Sequence, residues 1–197
     1  MSLINRVIRG LVGVSLVGIA GTSSAALVFY SAPLSGAAEA PPNASPGTGV
    51  ATLLVDTAAL TMTLDVIFSG LLGTVTASHI HCCTAVPDTG TAGVATQTPT
   101  FSGFPLGVTA GTYHQVFDMT LPSTWNAAFV TANGGSALLA ADAFMAGLDA
   151  ERAYLNIHTS LVPSGEIRGF LIRDVPEPAM AGLLGLAAVG LAWSKRR

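Results

Sequence analysis

Charge is scarce in this sequence. Asp, Glu, Lys and Arg make up 10% of its 197 residues, and between the two ends the only basic residues are Arg152, Arg168 and Arg173. Against them stand Glu39, Asp56, Asp65, Asp88, Asp118, Asp142, Asp149, Glu151, Glu166 and Asp174, so the body of the chain is acidic. Nucleic acid is held largely by Lys and Arg on phosphates, which excludes it as a partner. Attraction to anionic lipid is excluded on the same ground. Cysteine is scarcer still: Cys82 and Cys83 are adjacent and there is no third, so no disulfide can close a long loop. Four fates remain for the pair: a vicinal ring, buried free thiols, an intermolecular bond, or thiolate ligation of a metal. Neighbouring Cα atoms lie about 3.8 Å apart across a trans peptide, below the usual disulfide range, yet a ring in a tight loop is the first choice. The chain also lacks G-x-S-x-G, H-E-x-x-H and a phosphate loop, so no catalytic residue is assigned.

The apolar residues are concentrated at the ends. Arg6 and Arg9 precede "LVGVSLVGIA" and the small-residue run "GTSSAA", the pattern of a secretory signal peptide over residues 1–25. Its partners would be the Sec translocon and signal peptidase. At the other end Pro176, Glu177 and Pro178 are followed by an apolar segment, 179–193, and by Lys195, Arg196 and Arg197. That segment is marginally short for a membrane span, and the basic end would stay on the cytoplasmic side. Triplet, short apolar helix and basic end together resemble the PEP-CTERM sorting signal. The resemblance implies an exosortase as partner, transient membrane insertion of residues 176–197, and delivery to the cell surface or outside.

Between the ends, residues 27–174 form a chain long enough for one domain with its own core. "VATLLVD" and "TMTLDVIFSGL" alternate with period two, as strands do, with Asp56 to Ala59 as their connection. Further strands are expected at "TVTASHIH", "TYHQVFDMTL", "AYLNIHT" and "GEIRGFLI". Two segments look helical: "STWNAAFVTA", with Ser123 as N-cap, and "SALLAADAFMAGLDAERA". The fold class is therefore all-β: an antiparallel β-sandwich, Greek-key with immunoglobulin-like or superoxide-dismutase-like architecture, with one or two short helical insertions.

On a strand, residues i and i+2 face the same way, so His79 and His81 project together while Ile80 points to the other face. Tyr154, Asn156 and His158 likewise share a face. If the two strands meet, three imidazoles converge, a donor set that suits copper or zinc. The alternative is a structural role, with the histidines bonded to backbone, to Glu166 or to one another. Glu166 and Arg168 also share a strand face, either as an ion pair or as groups that orient a histidine.

Four stretches in order carry a resemblance: "LSGAAEAPP", "GLLGTVTASHIH", "AYLNIHT" and "GEIRGFL". From about Leu34 to Leu171 the chain is similar to the CHRD domain, first described in chordin and common in exported bacterial proteins. It departs from many members at Cys82-Cys83, where they carry Gly and Pro. The resemblance implies a β-sandwich placed outside the cell, with no established enzymatic activity. The first reading is accordingly a non-enzymatic structural or adhesion module at the cell surface, with extracellular polysaccharide or matrix as partner. The second is an exported metal-binding protein with weak redox chemistry, which uses His79, His81 and His158 to hold copper or zinc.

Overall fold

A computed structural model describes residues 27–174. Its eight strands belong to one antiparallel sheet that curls into a half-barrel. They are β1 (Leu27–Ser35), β2 (Thr48–Asp56), β3 (Thr61–Ser69), β4 (Val75–Cys82), β5 (Gly111–Asp118), β6 (Ala153–Thr159), β7 (Ile167–Phe170) and β8 (Ile172–Arg173). The order across the sheet is β4-β6-β7-β1-β2-β3-β5, with β8 continuing alongside β1. The fold class read from the sequence holds, and the two layers of the expected sandwich are the two halves of this one curled sheet.

The alternation seen in the sequence is what fills the half-barrel. Ala51, Leu53 and Val55 of β2 and Met62, Leu64, Val66 and Phe68 of β3 are buried on the concave side, while their neighbours face out. Asp56 Oδ1 accepts from the amides of Ala58 and Ala59 at 2.9 and 2.8 Å and so closes the β2–β3 turn. Two helices cover the open side. In α1 (Ala127–Ala132) the first turn is capped by Asn126, whose Oδ1 accepts from Ala128 N, and not by Ser123, which sits in a 3₁₀ turn. Helix α2 (Ala137–Asp149) is capped by Ser136 and buries Ala140, Ala141, Phe144 and Leu148 in the core.

One strand was not foreseen. β1 lies at the centre of the sheet and carries Pro33, which has no N–H to give. The sheet accommodates it by a gap. β1 pairs with β7 at Ser35 and with β8 at Tyr30 and Ser31, and the break between those two strands falls opposite Ala32 to Leu34.

β4, β6 and β7, which lie side by side, are buried on both faces along most of their length. Ile80, Leu155 and Ile157 point into the core, and the other face is covered by the long connection from β4 to β5. That covered face carries the histidines. Cys82 and Cys83 form the vicinal disulfide ring, which packs against Gly147 of α2 where a Cβ would strike both sulfurs. Alternation along β4 puts the ring on the side away from His81, so sulfur takes no part in the histidine face.

No helix among the described residues is long and apolar enough to cross a membrane. The signal segment 1–25 and the tail 176–197, with Pro176, Glu177, Pro178, Lys195, Arg196 and Arg197, lie outside the described residues.

Candidate metal centre

β4 and β6 run side by side with His79 opposite Asn156, His81 opposite Tyr154 and Ala77 opposite His158. The strand rule thereby places all three imidazoles on one patch, with ring centroids 5.0 to 5.9 Å apart. One nitrogen of each ring is engaged by a backbone carbonyl: His79 Nε2 by Pro99 O at 2.6 Å, His81 Nδ1 by Ala92 O at 2.9 Å, and His158 Nδ1 by Pro163 O at 2.9 Å. A nitrogen that meets a carbonyl must carry the hydrogen, so the hydrogen-bond network assigns each tautomer. The other nitrogens, His79 Nδ1, His81 Nε2 and His158 Nε2, are then bare lone pairs. All three are buried without a partner, and one nitrogen from each of the three rings lies within 4.8 Å of one from each of the others.

Burial, before any other influence, lowers the pKa of all three rings, and that of His81 falls to about 4. Hydrogen bonds to the carbonyls oppose the drop without cancelling it. Burial thus favours the neutral form of all three rings, the state in which imidazole ligates a metal. Each ring is bonded to backbone, as the structural alternative expects, and each also keeps one buried nitrogen without a partner. Carbonyls that fix the tautomer of a ligating histidine are the usual outer partners of a metal site. Three imidazoles without thiolate or carboxylate are a donor set for copper or zinc, and an ion held by His79, His81 and His158 would draw any further ligand from outside the protein.

The surroundings are polar and also buried. Tyr154 stacks on His81 with ring centroids 4.8 Å apart, and the Arg168 guanidinium lies 4.7 Å from the Tyr154 centroid. Arg168 donates to Ala38 O at 2.5 Å and Gly90 O at 2.9 Å and faces Glu39 at 3.8 Å. A cleft of about 740 Å³ opens where Glu39, Asp88 and Arg168 line the surface. Burial pushes the Glu39 carboxyl up to about 7 although Arg168 pulls it down.

Glu166 bonds neither to Arg168 nor to a histidine. Its carboxylate accepts from Leu72 N at 2.6 Å, Gly73 N at 3.0 Å, Ser45 Oγ at 2.6 Å and Thr159 Oγ1 at 2.7 Å, and so ties two loops to the β6–β7 pair. The partner of Arg168 is Glu39, which the sequence reading had not singled out as a site residue. The signal was there in "LSGAAEAPP", whose one charged residue is Glu39. His114 stands apart and meets Asp65 at 2.6 Å on the exposed convex face.

A curled antiparallel sheet with a three-imidazole cluster on one face defines the class of this molecule, an antiparallel β-domain. The CHRD domain profile matches residues 30–171 and the PEP-CTERM protein-sorting motif matches residues 174–197. The chain belongs to the CHRD-domain family, and its tail makes it an exosortase-sorted, exported protein of the cell surface. No curated protein and no solved structure matches it.

Proposed function

We propose that this CHRD domain binds one copper or zinc ion through His79 Nδ1, His81 Nε2 and His158 Nε2, outside the cell. One observation supports the reading: three clustered imidazoles, one buried and two half-buried, each give a hydrogen to a backbone carbonyl and keep the other nitrogen buried and unpartnered. Leaving a buried polar atom unmet costs about 1–3 kcal/mol, and three such atoms in one place are offset at once by a cation. In this reading the role at the cell surface is that of a binding module, and no enzymatic step is assigned to it. The N-terminal segment is read as a cleaved signal peptide and the C-terminal helix as a transient membrane anchor before exosortase processing. Polysaccharide or matrix is the partner class such placement would offer.

The test is elemental analysis by mass spectrometry on the purified protein beside a variant with His79, His81 and His158 replaced by Ala. Near-stoichiometric copper or zinc in the wild type, lost in the variant, is expected. A folded wild type that stays metal-free after incubation with both ions would refute the reading and leave the histidines as scaffold.

A further inference from the structure

Among the described residues five buried side-chain atoms have no hydrogen-bond partner, and they do not scatter. Three are the imidazole nitrogens, and the others are Asn156 Oδ1 and Glu39 Oε1. Asn156 lies directly across from His79 and two residues before His158 on β6, so it stands on the histidine face between them. Its amide nitrogen lies 3.5 Å from Glu39 Oε2, which leaves Oδ1 as a free acceptor. The two residues are 3% and 7% exposed. Gly165, at φ +131°, borders both. A Cβ there would come within 2.5 Å of both Asn156 Oδ1 and Nδ2 and 2.8 Å of Glu39 Oε1, so only glycine lets the chain pass this close to the two acceptors.

Both unpartnered atoms are acceptors: Asn156 Oδ1 at any pH, and Glu39 Oε1 above about pH 7, where the carboxyl has lost its proton. Of the donors around them, Arg168 Nε and Nη1 bond Ala38 O and Gly90 O, the ring N–H groups bond carbonyls, and the Asn156 amide nitrogen turns to Glu39 Oε2. A ligand that satisfies the whole patch must bring hydrogens, whereas a bare anion such as azide or a halide brings none.

We propose that the open position on the bound metal takes a small ligand that donates hydrogen bonds, water or another protonated oxygen ligand, seated by Asn156 Oδ1 and Glu39 Oε1. The proposal rests on metal binding by the three histidines and names the ligand class their site selects. Asn156 and Glu39 are positioning residues here, since they hold the exogenous ligand and do not touch the metal.

The experiment uses the full chain, purified in detergent, loaded with Cu(II) and studied by electron–nuclear double resonance in H₂O and D₂O, with azide as competing ligand. The wild type should show couplings to three nitrogens and to strongly coupled exchangeable protons, and should bind azide weakly. Asn156→Leu and Glu39→Gln should keep the three nitrogen couplings while azide binds about tenfold more tightly, because an acceptor wall that no donor meets is gone. Three nitrogens with no exchangeable proton in the wild type would overturn the proposal, whether or not the variants fold. Azide affinity unchanged in both variants would overturn it as well. Failure of the wild type to bind copper would overturn it together with the metal reading, and the nitrogen couplings tell these failures apart.

Discussion

Replacing Glu166 by Ala removes the acceptor of four hydrogen bonds at a position with no solvent exposure. The losses are unequal. Leu72 N–H and the Ser45 hydroxyl are near solvent and regain water, whereas Gly73 N–H and the Thr159 hydroxyl are buried and do not. Two stranded donors at about 1–3 kcal/mol each, with some loop relaxation, give about 3 kcal/mol of destabilisation. Domains of this size are stable by roughly 5–15 kcal/mol, so the variant folds but loses a large share of its margin. In urea, with a slope near 2 kcal/mol/M, the midpoint should fall by about 1.5 M. Glu166→Gln keeps one acceptor oxygen but turns an NH₂ toward groups that themselves donate, and about half the loss is expected. Burial alone would raise the Glu166 pKa, yet the hydrogen bonds from Ser45, Leu72, Thr159 and Gly73 outweigh it and hold the carboxylate below its ordinary range. Its contribution is thus present above about pH 4.5 and fades as the pH falls, so wild type and Glu166→Gln should converge in stability toward pH 3. A Glu166→Ala midpoint within about 0.5 M of wild type would show that the loops at Ser45 and Gly73 are held by something else.

Three further predictions concern the histidine face and its surroundings. Metal-free protein should lose stability as the pH falls from about 6.5 to 4, because the unfolded chain protonates histidines that burial keeps neutral in the fold; His81 alone accounts for on the order of 3 kcal/mol. Glu39 works in the opposite direction, since its folded carboxyl retains a proton up to about pH 7 that the unfolded chain releases near 4.5, so its contribution is lost as the pH rises between them. Glu39→Gln removes this counter-slope, and its stability should climb more steeply than wild type between pH 5 and 7; parallel urea-midpoint profiles would contradict the assignment. The double variant Cys82→Ala, Cys83→Ala should keep its metal content, because the disulfide ring faces α2 and not the imidazoles. Loss of metal from a folded double variant would mean that sulfur reaches the site.

What could be read ahead of the structure is what depends on neighbours in the chain. Side chains alternate along any strand, so "ASHIH" and "YLNIH" already put His79 with His81 and Asn156 with His158, and "TMTLDVIFS" already separated core from solvent. The PEP triplet with its basic end is equally a matter of linear order. The weaker local signals misled where competing ones lay close. Asn126 and not Ser123 caps the helix because Pro122 to Thr124 form a 3₁₀ turn, and β1 was hidden by Pro33 and by the apolar residues that precede it. Whether β4 would pair with β6, and so whether two histidine-bearing strands would meet at all, has no local cause. It follows from how the sheet curls to bury Ile80, Leu155 and Ile157 together. The same closure brings Ala92, Pro99 and Pro163 carbonyls to the rings and carries Glu39 across 117 positions of sequence to Asn156. Period-two alternation decided which residues share a face, and tertiary packing decided which faces came together, because pairing and burial are settled over the whole core at once.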